Sequence, residues 1–439
     1  MSGEPRKGLS ERLYGALLEA PNGLEDLEDE VARNVPGNAV RQVAALTLQK
    51  AGDLVVDAKT VLTWLLAALG APASLTGLLV PIRESGSMLP QASLAPLVRR
   101  RAVRKWIWVL GAALQAVSVL AMAAIAATLE GAAAGIALLV ALAGFSLARS
   151  LSSLTSKDVQ GRTLPKGTRG QINGYATIGA GLASITVGLG LRLLGGDDAA
   201  PSTFAWLLTG AAAAWVLAAL VFARIHEPPG EHDPEAAAGG NALADAVRLL
   251  RDDRPFRRFV LARTLLLVSA LSPPFVVTLA TEQGGAGLQG LGSFVISSGI
   301  AALIGGRLWG RLADRSSRRV MMVASGLSAG IVVLFLAGLR LEAVRTAALV
   351  YPATYLLLAL VHHGSRIGRK TYVVDLAEGD QRTEYVAVSN SAMGALLLVV
   401  GVATSAVALL GAEAALLALA LFGATGVVVS RSLPEVSAG

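Results

Sequence analysis

Apolar residues fall in long blocks along this chain, separated by short polar or glycine-rich gaps. A helix needs about 20 mostly apolar residues to cross a membrane, and a spanning helix satisfies its own backbone hydrogen bonds. The pattern predicts twelve spans, at 42–70, 73–97, 105–127, 131–155, 171–194, 202–223, 257–282, 287–309, 320–340, 345–370, 384–410 and 412–430. We therefore expect an all-α membrane protein with terminal tails at 1–41 and 431–439.

Composition agrees with this prediction and excludes some chemistry. Hydrophobic residues make up 54% of the chain and charged residues only 16%, whereas soluble domains carry roughly 25% charged residues. Cysteine is absent, which excludes disulfides, thiolate metal sites and thiol nucleophiles. The N-terminal stretch is polar and mixed in charge, without the apolar core of a secretory signal peptide. We expect this tail to stay in the cytoplasm.

Basic residues concentrate in alternate gaps between the predicted spans, such as 99–105, 157–169 and 307–319. Lysine and arginine accumulate in cytoplasmic loops. The pattern predicts an inner (plasma) membrane protein with both termini inside the cell. The run "RRRAVRK" at 99–105 also resembles a nucleic-acid patch, but a short basic loop between two spans favours an orientation signal. We expect no nucleic-acid partner.

The polar stretch 224–256 divides the chain into an N-terminal half at 42–223 and a C-terminal half at 257–430, each with six predicted spans. Within this linker Leu243, Val247 and Leu250 recur at helical spacing. This spacing predicts an amphipathic helix on the membrane surface.

The two halves resemble a duplication. An offset of 214 residues places the basic loop of the first half on that of the second, with Arg101, Arg104 and Lys105 on Arg315, Arg318 and Arg319. Near the same offset, Pro273 and Pro274 are expected to interrupt span 7, so span 1 is expected to be irregular near 57–60. Parallel repeats with discontinuous helices are typical of secondary transporters.

The segment "GRLADRSSRRVMM" at 310–322 resembles the loop motif of the major facilitator superfamily. Ser317 stands where that motif usually has glycine, and in the first half Pro96 and Arg100 replace its glycine and aspartate. The resemblance implies two pseudo-symmetric six-helix bundles that rock around a central site, with the loop closing the cytoplasmic side. Under this hypothesis Arg315 or Arg318 pairs with Asp375. The expected gating residues are Gly310, Asp314, Arg315, Arg318, Arg319, Asp158, Arg149 and Asp375. The alternative is that these charges only orient and fold the chain.

Five ionisable residues lie near the middle of the first two predicted spans: Asp53, Asp57, Lys59, Arg83 and Glu84. Charge at this depth is costly and usually marks an ion or substrate path. At a spacing of four residues, Asp53 and Asp57 are expected to share one face of the first span. The carboxylates are candidate proton carriers, and Lys59 and Arg83 are candidate ligands for an anionic substrate. The alternative is a set of ion pairs that only joins the two helices.

A rival topology places a single span at 60–82, which puts Arg83 and Glu84 at the membrane surface. The alternation of basic loops and the repeat both argue against it.

Further polar residues lie in later spans. His362, His363 and Arg366 are a second candidate proton or substrate group, with packing within the bundle as the equal alternative. Arg263 is expected to reach the membrane surface. Asn173 and Asn390 are expected to bond either substrate or a neighbouring helix.

The sequence lacks the nucleotide-binding, hydrolase and metal-site motifs that would indicate an enzyme or an ATP-driven pump. We predict a monomeric secondary transporter without cofactor or metal, which moves a small solute through the lipid bilayer by alternating access with proton coupling. The alternatives are a non-transporting receptor or scaffold on the same fold, and a lipid flippase.

Overall fold

The computed structural model describes residues 14–15, 29–91, 94, 97–98, 100–165, 168–194, 200–230, 242–283, 288–376 and 381–436. The regular structure in these residues is helical. The main helices are α1 (Asp29–Val55), α2 (Val61–Ala68), α3 (Thr76–Met88), α4 (Lys105–Thr128), α5 (Gly131–Thr163), α6 (Thr168–Leu194), α7 (Pro201–Ala223), α8 (Ala242–Asp252), α9 (Arg254–Leu265), α10 (Val268–Glu282), α11 (Leu288–Arg315), α12 (Ser317–Gly338), α13 (Val350–Leu376), α14 (Gln381–Val407) and α15 (Ala412–Arg431). Short turns of helix lie at Ala73–Leu75, Glu342–Arg345 and Ala408–Leu410.

Eight stretches within the described residues are long and apolar enough to cross a membrane. They are α4, α5, most of α6, α7, the pair α9 and α10, α12, the later part of α14, and α15. The protein is therefore a multi-pass membrane protein, as predicted. The spans predicted at 42–70, 73–97, 287–309 and 345–370 are not among the eight, and the count of twelve stays a prediction.

Helix packing repeats between the two halves. In the first half α4 packs against α5 and α7, and α1 packs against α7. The corresponding helices of the second half do the same: α12 packs against α13 and α15, and α10 packs against α15. The halves meet at two interfaces, where α3 packs on α14 and α6 packs on α11. In the repeat α3 corresponds to α11 and α6 to α14, so the two interfaces are equivalent. This correspondence is the arrangement that parallel repeats produce.

The first predicted span is broken, as the repeat suggested. Helix α1 ends at Val55 and α2 begins at Val61. Asp57 lies in the break, where its Oδ1 accepts hydrogen bonds from the backbone N–H of Lys59 at 2.9 Å and from Thr60 Oγ1 at 3.0 Å. Because this local bonding stabilises a turn instead of a helix, Asp53 and Asp57 do not share a helical face, and that prediction is wrong.

The first described helix extends further than expected, and the rival span at 60–82 is not a continuous helix. Helix α1 begins at Asp29, well inside the predicted tail. A continuous helix over 60–82 does not form, because the chain turns at Gly70, whose φ of 66° favours glycine, before α3 begins at Thr76.

Span 7 is interrupted, but not at its prolines. Pro273 and Pro274 lie inside α10, and the break falls earlier, at 266–267. A proline ring crowds the carbonyl four residues before it, which here are the carbonyls of Ser269 and Ala270, just after the break. At the break Leu267 N–H bonds to the Thr264 carbonyl at 3.0 Å, a tighter turn than an α-helix makes.

The two halves approach each other closely at glycines. A Cβ on Gly401 of α14 would overlap the Pro81 ring of α3, and one on Gly292 of α11 would lie 2.5 Å from the Gly188 carbonyl oxygen of α6. Glycine therefore permits close packing at both interfaces. These approaches lie on the side away from the basic loops, which is the predicted outer side.

The linker contains α8, which contacts α9 and α14. Leu249 and Leu250 pack against the second half, and Val247 is 57% exposed. The side chain of Leu243 lies outside the described residues. The position of this helix on the membrane surface stays a prediction.

Candidate functional site

A cavity of about 360 Å³ lies between the two halves. Its charged and histidine lining comes from the α1–α2 break, α3, α5 and α13: Asp57, Lys59, Arg83, Glu84, Arg149, His362, His363, Arg366 and Arg369. All the residues predicted to bind substrate or protons line this cavity except Asp53. The structure thus joins two groups of residues that the sequence left apart.

Asp53 lies beside the cavity and holds two arginines. Its Oδ1 accepts hydrogen bonds from Arg83 Nη2 at 3.2 Å and from Arg149 Nη1 at 2.6 Å. Arg83 also donates to the Val56 carbonyl at 2.9 Å, and its guanidinium lies 5.1 Å from the centre of the Phe145 ring. Asp53 therefore links α1, α3 and α5.

Glu84 is a cavity carboxylate without an ion pair in the described part of the chain. It interacts electrostatically with Lys59 and Arg83 of its own half and with Arg366 and Arg369 across the cavity. Glu84 is thus the acidic group that acts on cations of both halves.

Helix α13 supplies the cavity wall of the second half. His362, Arg366 and Arg369 follow one another at helical spacing and face the cavity together. Nδ1 of His362 lies 3.1 Å from Ser269 Oγ of α10, and His363 packs against Gly305 of α11. The histidines therefore also contact the neighbouring helices.

Sequence reasoning missed Arg369 as a site residue. The available signal was its position three residues after Arg366 and seven after His362, which places all three on one side of a helix.

The family model of the Major Facilitator Superfamily matches residues 58–361, which is more than half of the chain. The chain belongs to the Major Facilitator Superfamily. Membership supports a secondary transporter. None of the curated proteins compared with this chain matches it.

Solved structures of superfamily transporters share the fold. A D-xylose-proton symporter aligns with a TM-score of 0.67 and 12% identity over 91% of this chain and 98% of its own. A POT family transporter in complex with 5-aminolevulinic acid aligns at 0.68 and 11% identity over 90% and 94%. A mutant nucleoside transporter aligns at 0.64 and 14% identity over 90% and 98%. At these identities the likeness shows the fold alone.

The superfamily loop motif lies at the turn between α11 and α12. Arg318 Nε lies 3.3 Å from Glu435 Oε2, and Ser316 Oγ donates to the same oxygen at 2.6 Å. Arg318 therefore pairs with Glu435, because the chain after α15 folds back over the start of α12. Arg315 and Arg319 are exposed. The side chains of Asp314 and Asp375 and the surroundings of Gly310 lie outside the described residues, so the pairing with Asp375 stays a prediction.

The first half carries a matching network. The side chain of Glu227 is fully buried. It accepts hydrogen bonds from the backbone N–H groups of Arg104 at 3.1 Å and Lys105 at 2.6 Å, and it forms an ion pair with Arg162 at 3.5 Å. Asp158 pairs with Arg104 at 2.9 Å. In each half of this superfamily protein, a glutamate after the last helix thus bonds to the start of the third span.

Three polar residues predicted within spans bond other helices. Arg263 is only 5% exposed and donates to Ser389 Oγ at 2.8 Å and to Asn390 Oδ1 at 3.0 Å. The prediction that Arg263 reaches the membrane surface is wrong, because α9 turns this side chain toward α14. Asn173 Nδ2 donates to Gln160 Oε1 at 3.2 Å.

Proposed function

We propose that this protein moves a small solute across the inner (plasma) membrane by alternating access, coupled to protons and with both termini in the cytoplasm. The observation that supports it is the charged cavity between the two halves. Secondary transporters of parallel-repeat architecture bind substrate at such a repeat interface. Because a scaffold gains little from charges inside the membrane, these residues favour transport.

The contacts between the halves support alternating access. The α3–α14 and α6–α11 interfaces include close approaches toward their predicted outer ends, at Gly401 and at Gly292. The interrupted spans α1–α2 and α9–α10 are equivalent in the repeat, and residues beside each break line the cavity. In the opposite state the outer contacts open, and the loop residues Arg315, Arg318 and Arg319 help to close the inner side.

Glu84 is the proposed proton carrier. It lines the cavity and has no ion pair in the described residues, whereas Asp53 is held by two arginines and Asp57 stabilises the turn after α1. A proton on Glu84 weakens its attraction to the cations of both halves. Protonation is thereby connected to the interface that alternating access must rearrange.

The test uses the purified chain in liposomes that contain a pH-sensitive dye. A panel of sugars, amino acids, organic acids and nucleosides is added outside, and proton movement into or out of the lumen is followed. We expect at least one solute to drive proton movement, which the Glu84→Gln variant loses. The matched control is Glu413→Gln, which removes an exposed carboxylate paired with Arg340 and should leave the response unchanged.

Two results would overturn parts of this proposal. Full solute-driven proton movement in the Glu84→Gln variant would refute the assignment of the proton carrier. Absence of flux for the whole panel, measured also with radiolabelled solutes, would refute transport and favour a receptor or scaffold.

A further inference from the structure

The cavity wall of the first half is balanced in charge. Its basic groups are Lys59, Arg83 and Arg149, and its acidic groups, counting Asp53 just behind the lining, are Asp53, Asp57 and Glu84. Asp53 binds two of the basic groups directly, and Lys59 interacts with the other two acids. This wall presents no net charge of its own to a ligand.

The wall of the second half is cationic. It contributes Arg366 and Arg369, and none of its described lining residues is acidic. Neither arginine forms an ion pair with a carboxylate in the part of the chain that the structure describes. The Nε of Arg369 is buried, and no hydrogen-bond partner for it lies among the described residues. Two guanidinium groups therefore lie at the cavity with unused donors.

An uncompensated charge inside a membrane protein is costly and needs a partner. The guanidinium fork fits carboxylate and phosphate groups, to which it donates two parallel hydrogen bonds. Two such forks one helical turn apart form a site for an oxyanion group. Glu84, from the opposite wall, is an acidic group that interacts electrostatically with both of them.

We propose that the transported solute is a small organic anion whose carboxylate or phosphate group binds Arg366 and Arg369. This proposal rests on the proposed transport function. The cavity volume of about 360 Å³ is near the lower end for ligand pockets, which limits the solute to the size of a small metabolite. Uncharged lining residues of the same half, Ser298 and Tyr355 among them, are available for the remainder of the molecule.

Glu84 and the solute compete for the same cations under this proposal. An empty site keeps Glu84 as the counter-charge of Arg366 and Arg369, and a bound anion replaces it. Removal of the Glu84 charge should therefore tighten anion binding, whereas removal of either arginine should weaken it. A purely structural role for the arginines predicts no such opposite effects.

The experiment measures binding to the full chain in nanodiscs of phosphatidylcholine, which contain no anionic lipid. Thermal shift and calorimetry are carried out with succinate, with its neutral diamide and with butane-1,4-diamine, which have the same four-carbon length and differ in charge. Citrate and glycerol 3-phosphate extend the anionic set, with glycerol as a neutral control. A parallel arm adds phosphatidylglycerol to show whether an anionic lipid occupies the site.

We expect at least one anionic probe to bind, and none of the neutral or cationic ones. Arg366→Gln and Arg369→Gln should each weaken this binding about ten- to hundredfold, the usual effect of losing one charged hydrogen-bonding group. Arg366→Lys should retain part of it. Glu84→Gln should bind the anion more tightly. The control Arg224→Gln, which removes an exposed arginine at the end of α7, should not change it.

Several outcomes would overturn the inference. These are binding of the neutral or cationic probes in preference to the anions, no binding of any anion, or equal anion binding by Arg369→Gln and wild type. Competition by phosphatidylglycerol with no binding of soluble anions would assign the arginines to lipid instead. Solute flux of a neutral compound in the liposome assay would keep the transport function while refuting the anionic substrate.

Discussion

Asp53 holds two arginines of the first half, so its removal should be unusually destabilising. In Asp53→Asn the side chain keeps its shape and one acceptor oxygen but loses its charge. Arg83 and Arg149 are then left without their counter-ion inside the bundle. Their side chains are 11% and 27% exposed, and that of Asp53 is 14% exposed.

Removing one partner of a buried ion pair costs about 3–5 kcal/mol. Because all three side chains are partly exposed, we expect the lower end, about 3 kcal/mol. For a unit of 150–250 residues each kcal/mol lowers Tm by about 2–4 °C. The Tm of the Asp53→Asn variant should therefore lie about 6–12 °C below that of the wild type.

The assay is thermal unfolding of the detergent-purified protein, followed by size-exclusion chromatography of heated samples. Glu413→Gln is the matched control, since the Glu413–Arg340 pair is exposed and such pairs contribute at most about 1 kcal/mol. Adding Arg149→Gln to Asp53→Asn should restore part of the lost stability, because it removes one uncompensated charge. A Tm of Asp53→Asn no lower than that of the control would refute the reasoning.

Three further predictions concern the interface, the loop networks and the topology. Gly401→Ala should lower Tm by several degrees because its Cβ meets Pro81, whereas Gly330→Ala, with nothing within 4 Å, should be neutral or stabilising; equal shifts would contradict the close approach. Glu227→Gln should lower the free energy of unfolding by about 1–3 kcal/mol, because the buried Glu227 carboxylate accepts hydrogen bonds from two backbone N–H groups. The loss should exceed that of Glu435→Gln, whose carboxylate is partly exposed, when both variants are compared by thermal unfolding. A cysteine at Arg100 should react with a membrane-impermeant maleimide only from the cytoplasmic side; reaction from outside would reverse the topology.

Much of the fold could be predicted from the sequence because membrane insertion depends on local composition. Eight apolar stretches lie where the hydropathy pattern placed them. The break near Asp57 was also predictable, from the repeat. The extension of α1 back to Asp29 was not, because residues 29–41 are polar and lack an apolar block.

The candidate site was predicted as two separate groups of charged residues. Hydropathy showed that Arg83 and Glu84 lie within a span, and that His362 and Arg366 lie within another. It did not show that both groups line one cavity, because this requires the α3–α14 and α6–α11 contacts to bring the halves together.

The sequence by itself determined the helical class, the repeat, the superfamily resemblance and the residues that carry charge into the membrane. These features depend on composition and on spacing within single helices. The tertiary structure alone decided which charges meet. Asp53 binds Arg149, 96 positions away, and Arg318 pairs with Glu435. An ion pair depends on how distant helices are packed and rotated, and neither quantity is contained in local sequence patterns.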